Sequence, residues 1–264
     1  MTSSSSTAAG SDLLSKVPAA TLAFWVAKIC ATTVGETGGD ALSMTLNLGY
    51  AVSSLIFLAF FLVAVAAQIV ARRYHPTIYW LVVVATTTVG TTTSDYMDRT
   101  LGLGYVKSSA ALLCAVIAIL VAWRLTTGRI AVDKVIARRD EAFYWVTILV
   151  SNTLGTALGD FTASSAGLGF ENGALIFAGL IAVVGALHLF TKAPGAILFW
   201  AAYILTRPLG ATLGDTLTKP HADGGLALGR FAATFTIAAA MTVVVVWTSR
   251  RRGADPTGIN GVRS

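Results

Sequence analysis

Charge is scarce in this chain: only 12% of its 264 residues are Asp, Glu, Lys or Arg, about half of what a water-exposed domain carries. A surface that poor in charge excludes an ordinary soluble globule. Cysteine is nearly absent too. Cys30 and Cys114 lie in apolar segments without a CxxC spacing or a nearby histidine, which excludes a disulfide framework and a thiolate metal site. Histidine occurs only at His75, His188 and His221, too scattered for a haem pair or a histidine metal centre. No nucleophile-base pairing, phosphate loop or nucleotide fingerprint stands at a diagnostic spacing, so no cofactor is expected. The stretch "MTSSSSTAAGSDLLSKVPAA" has no basic residue before Lys16 and no apolar core of signal length, so residues 1–17 read as a disordered lead-in.

What fills the chain is apolar: 55% of the residues are hydrophobic and the mean hydropathy is +0.72. Segments near 18–35, 76–92, 142–158 and 194–213 alternate with longer ones near 46–71, 103–123, 167–190 and 226–247. Each can cross roughly 30 Å of hydrocarbon as a helix. None shows the in-out alternation of a membrane barrel. The expected fold is therefore an all-α integral membrane domain over residues 18–248 with eight transmembrane helices, followed by a basic tail at 249–264.

The segments repeat. "WVAKICATTVGETGGD" from Trp25 recurs as "WLVVVATTTVGTTTSD" from Trp80, "WVTILVSNTLGTALGD" from Trp145 and "WAAYILTRPLGATLGD" from Trp200, always with 15 residues from Trp to Asp. Gly35, Gly90, Gly155 and Gly210 fall ten residues after the tryptophans, and "LGY" or "LGF" closes three of the turns, at Gly49, Gly104 and Gly169. The fourth unit departs, with about five residues inserted before Leu228-Gly229. These are four two-helix repeats, near 18–72, 73–124, 141–191 and 193–248.

Thirteen of the 19 basic residues, among them Arg72, Arg73, Arg124, Arg138, Arg139 and Arg250, fall on one side of this array. The positive-inside rule makes that side cytoplasmic, with both termini there, and assigns the net charge of +6 to membrane orientation instead of a nucleic-acid partner. "TTGRIAVDKVIARRDE" then forms a cytoplasmic loop. Two spans per unit give four parallel repeats, with pseudo-symmetry about the membrane normal. Their Gly-Asp turns all face outward.

The tryptophan, the Thr/Gly-rich run and the Gly-Asp of each unit resemble the tandem "repeat of unknown function" family of bacterial predicted membrane-anchored proteins. The resemblance covers residues 20 to 248 and implies a multi-pass protein of a bacterial inner membrane. On its motif lie Trp25, Trp80, Trp145 and Trp200 with Asp40, Asp95, Asp160 and Asp215; Ser94 replaces a glycine in the second unit.

Carboxylates beside apolar surroundings cost free energy unless paired or bound to a cation, so Glu36 and the four aspartates are the candidate ion-binding residues. Glu36 and Asp40 share a helix face. Two basic residues break the repeat: Lys28, where the other units have Val83, Ile148 and Tyr203, and Arg207, where they have Thr32, Thr87 and Asn152. Both are candidate counter-ions, and Lys28 is expected either to snorkel or to pair with an acid. The plainer alternatives are close helix packing for the GxxxG glycines, capping for the aspartates, interface anchoring for the tryptophans and back-bonding for the threonines.

The expected function is a secondary transporter or exchanger of a small cation, proton-coupled, working through an acid-lined outward vestibule in the lipid bilayer. The alternatives are a carrier of a small anion held by Lys28 and Arg207, a membrane-embedded acid-base hydrolase, and a non-transporting sensor or assembly protein. The charge asymmetry makes a first prediction. Green fluorescent protein fused to the C-terminus should fluoresce and alkaline phosphatase fused there should stay inactive; the opposite pattern reverses the orientation.

Overall fold

The structure, a computed structural model, describes residues 17–71, 74–130 and 137–254; the lead-in up to Lys16, residues 131–136 of the loop after the second repeat, and the tail from residue 255 lie outside them. Among the described residues there are eight α-helices and no strand: α1 (Leu22–Asp40), α2 (Gly49–Val70), α3 (Pro76–Asp95), α4 (Tyr105–Thr127), α5 (Arg138–Asp160), α6 (Gly169–Phe190), α7 (Gly195–Thr218) and α8 (Arg230–Ala254). Five of them have the length and apolarity to cross a membrane: α2, α4, α6, α7 and the Arg230–Arg251 stretch of α8. In α1, α3 and α5 the hydropathy is diluted by threonine, glycine and asparagine, most of which are buried.

The first helix of each unit is inside. α1 packs on α3, α3 on α5, α5 on α7 and α7 on α1, closing a ring. Each second helix then packs chiefly on the first helix of the following unit: α2 on α3, α4 on α5, α6 on α7, and α8 back on α1. Units are thereby interlocked, not stacked as separate hairpins. The outer helices expose large apolar side chains such as Leu55, Val63, Ile117, Leu175 and Phe235, a surface suited to lipid.

Glycine sets how closely the ring closes. A methyl group on Gly35 would collide with the Thr87 side chain, one on Gly155 with Arg207, and one on Gly210 with Thr32; on Gly90 it would stand 2.9 Å from the Asn152 carbonyl carbon. Each glycine thus receives the residue seven after the tryptophan of the next unit. One turn on, Gly39 meets Thr91, Gly159 meets Ala211 and Gly214 meets Glu36, so the inner helices run in the same direction and in one register. The GxxxG spacing does serve packing here.

The inner helices are not broken at these glycines. α1, α3 and α5 continue through them to the aspartate, then widen into π-helical turns at Ala41–Thr45, Tyr96–Thr100 and Phe161–Ser165. α7 runs through Pro208 as far as Thr218. Gly49 and Gly169 begin the second helices of the first and third units and Gly104 caps that of the second, at φ +73°, +74° and +75°, where a side chain would be strained. The fourth turn instead carries a 3-10 turn at His221–Asp223.

At the end opposite the aspartates, Phe24, Tyr79, Trp80, Tyr144, Trp145, Phe199 and Trp200 pack ring against ring. Trp80, Trp145 and Trp200 are buried in this cluster and only Trp25 is half-exposed, so three of the four tryptophans anchor the ring's interior instead of a lipid interface.

Two glycines separate packing from helix propensity. Gly90→Ala should destabilise the protein by about 1–3 kcal/mol through overpacking, whereas Gly185→Ala, with open space beside it, should be neutral or stabilising by up to about 1 kcal/mol. Thermal unfolding in detergent reads both. Equal effects at the two positions would contradict the close approach.

Candidate functional site

Residues equivalent in the repeat lie level with one another inside the ring, so the interior can be followed in layers. Seven residues after the tryptophans stand Thr32, Thr87, Asn152 and Arg207; eleven after them stand Glu36, Thr91, Thr156 and Ala211. Arg207 reaches from the first layer to the second. Its Nη2 donates to Glu36 Oε2 at 2.9 Å and to the hydroxyls of Thr156 and Thr91, while Thr91 also donates to Glu36 at 3.2 Å. Glu36 and Arg207 are both buried, so this pair closes the middle of the ring. Breaking such a pair is costly because it strands one charge in a medium that cannot solvate it.

One further layer out stand the four aspartates, all buried. Asp40, Asp95 and Asp160 are not the caps of the following helices: the residues there, Leu48, Gly104 and Leu168, make no side-chain cap hydrogen bond. The aspartates end or nearly end their own helices, where the macrodipole is negative and a carboxylate is disfavoured. Cations offset this. Lys219 bridges Asp40 at 3.1 Å and Asp215 at 3.2 Å; Arg99 bridges Asp95 at 3.1 Å and Asp160 at 3.3 Å; Arg230 approaches Asp40 at 3.6 Å. Burial works against the Lys219 ammonium, but Asp215 and Asp40 outweigh it and hold its pKa above the ordinary lysine value. Arg99 is held up in the same way by Asp95 and Asp160.

Glu36, Asp40 and Asp215 come together most tightly, with one oxygen from each within 4.8 Å of the others. Asp40 Oδ1 has no hydrogen-bond partner among the described residues. Three carboxylates at this spacing are a hard oxygen donor set of the kind that suits Mg, Ca or Mn. Asp95 and Asp160 are held by Arg99 on the other side of the ring. On the turn side of the aspartates opens a pocket of about 600 Å³, lined by Arg99, Lys219, Arg230, Tyr105, Phe170 and Asp223 among others. Its charged lining residues are three bases and one acid. The acids expected to line it lie beneath, covered by their cations.

Of the two candidate counter-ions, Arg207 meets an acid and Lys28, among the described residues, does not. Lys28 is fully buried and does not snorkel; its Nζ lies 3.4 Å from Asn152 Oδ1 and 4.2 Å from the centre of the Tyr203 ring. Most threonine hydroxyls among the described residues bond back to their own helix, as Thr33 does to Ile29 and Thr88 to Val84; Thr91 is placed against a carboxylate. Glu171 lies exposed at the start of α6, and Asp98 is held by Ser94 and Ser108. Sequence reasoning missed Arg99, Lys219 and Arg230. Two of these carry a signal: Asp95 to Arg99 and Asp215 to Lys219 are both i,i+4 spacings, which place the pairs on one face.

The fold and its interior define a class: an all-helical protein of tandem two-helix units, with membrane-length apolar helices outside and a buried cluster of ion pairs within. The chain belongs to the family described as Repeat of Unknown Function (DUF347), which matches it four times, over residues 23–74, 78–129, 143–193 and 198–254. No curated protein and no solved structure matches the chain.

The central pair is tested by a double substitution. Glu36→Gln should lower stability by about 3–5 kcal/mol, because Arg207 is left buried without its carboxylate, and adding Arg207→Met should restore most of the loss. Denaturant titration in detergent micelles measures both. A double variant no more stable than Glu36→Gln alone would show that the pair is not what holds Arg207.

Proposed function

We propose that this protein is a secondary transporter that exchanges a small hard divalent cation for protons across a bacterial inner membrane. In this reading all eight helices span the bilayer, the four repeats are related about the membrane normal, and both termini are cytoplasmic. The like-directed contacts between each glycine and the next inner helix support that arrangement. α1, α3 and α5 need little apolar surface of their own, because the outer helices cover the ring.

One observation carries the functional reading: Glu36, Asp40 and Asp215 converge within 4.8 Å inside a closed helix ring, and the ammonium of Lys219 lies between two of them. Lys219 behaves as a tethered substitute for a bound cation. Five carboxylates, Glu36 and the four aspartates, face Arg99, Arg207, Lys219 and Arg230, which leaves one formal negative charge for a proton or a metal to neutralise. A cation entering from the pocket displaces Lys219 and takes Glu36, Asp40 and Asp215 as ligands. The aromatic cluster closes the other end, as exchange without leakage requires.

Proteoliposomes test this. Purified protein should take up radioactive Mn²⁺ when an opposing pH gradient is imposed. Asp40→Asn or Asp215→Asn should slow the initial rate by at least about tenfold, since even outer partners of a metal site count for that much. Exposed Glu171→Gln should not. Wild-type rates equal to empty vesicles for Mn²⁺, Mg²⁺ and Ca²⁺ alike would overturn the reading.

A further inference from the structure

Lys28 is left over from this arrangement. Its ammonium is buried in the ring, yet among the described residues no carboxylate lies within 4.0 Å of it, and its partners are an amide oxygen and an aromatic face. An ammonium stabilised only by neutral groups in an apolar interior is expensive to keep charged. Its partner is itself fixed: Asn152 donates to Thr86 at 2.9 Å, which turns the amide oxygen toward Lys28. An oxygen so aimed accepts from the protonated form, and the Tyr203 ring face also favours a cation. The site therefore tolerates the proton without holding it strongly.

The charged and titratable groups facing this level are few. At this level α7 contributes Tyr203 and, one turn on, Arg207; Tyr79 of α3 and Tyr144 of α5 stand one turn nearer the aromatic end, with their hydroxyls bonded to each other at 2.8 Å. α8 presents Met241 within the core and, at the inner end, Arg251. The nearest acid toward that end of α5, Glu141, stands seven residues before Ile148, the position level with Lys28. Arg207 is thus the near charge, and it has the same sign. It is paired with Glu36, on the carboxylate cluster, at 2.9 Å.

We infer that Lys28 is the proton-carrying group of the exchange, linked to the carboxylate cluster through Arg207. This rests on the cation-exchange reading above. When a metal ion takes Glu36, Arg207 loses its counter-charge while remaining next to Lys28, and repulsion between the two cations drives a proton off Lys28. The ammonium N–H bond breaks, nitrogen keeps the electron pair, and water on the side from which the metal enters takes the proton, as exchange requires. Release of the metal restores the Glu36–Arg207 pair and lets Lys28 take up a proton again. One residue thus converts metal occupancy into proton release without touching the metal.

The experiment is a proton count on the full-length protein in weakly buffered detergent solution, with a pH indicator dye, as Mn²⁺ is added; bound Mn²⁺ is followed in parallel by electron paramagnetic resonance. Lys28→Met should bind Mn²⁺ within about threefold of wild type while releasing about one proton fewer per ion. Lys28→Arg, which keeps the charge permanently, should show the same missing proton and serves if the methionine variant does not fold. Unchanged proton release with intact Mn²⁺ binding in either variant overturns the role of Lys28 and leaves the exchange reading standing. Wild-type protein that binds no Mn²⁺ removes the exchange reading, and this inference with it.

Discussion

The structure depends on how closely four helices can approach. Each inner helix places a glycine against the residue that follows the next tryptophan by seven, and in two of the four cases that residue is a threonine whose hydroxyl also bonds across the interface: Thr87 to Ala31 and Thr32 to Thr206. A larger side chain at those glycines would force the ring open. At wider spacing Arg207 of α7 could not reach Glu36 of α1 and the hydroxyls of α3 and α5 together, and the middle of the ring would lose its closing contact. The packing constraint thus comes first, and the charges can be buried because it is met.

Burying those charges imposes the second layer of order. Four carboxylates at the negative ends of helices are unfavourable alone, so each is tied to a cation: Arg99 serves two, Lys219 serves two, and Arg230 supports one of the latter. Arg99 and Lys219 each join adjacent units of the ring, α3 to α5 and α7 to α1. Lys28 stands apart from this network. It has the ring's aromatic end on one side and Arg207 on the other, which makes it sensitive to whatever happens to Arg207's partner.

Much of this was readable beforehand. The constant spacing from tryptophan to aspartate gave the repeat, and a repeat with one glycine at a fixed place gave a close helix contact, although not which helix would fill it. The filling is between units, decided by ring closure, and no periodicity within a single segment carries that information. Lys28 and Arg207, where the repeat breaks, are both buried in the ring. Their fates differ because Glu36 occurs in α1 alone, so only one of the two cations has an acid within reach. Arg99 and Lys219 were masked by their position among the residues of the Gly-Asp turns, where the orientation rule treats them as background, even though the i,i+4 spacing from an aspartate was visible. The tryptophans were misplaced for a related reason: a residue near a helix end reads as an interface anchor unless the sequence reveals that the helix is surrounded by others.

The central claim is that Glu36, Asp40 and Asp215 form one metal-binding pocket within the ring. Anomalous X-ray diffraction from crystals of the protein grown with Mn²⁺ tests it most directly. The account predicts a single strong anomalous peak bonded to oxygens of those three residues, with Lys219 turned away from Asp40. A peak confined to the surface, or none inside the ring while Lys219 keeps both aspartates, would contradict it.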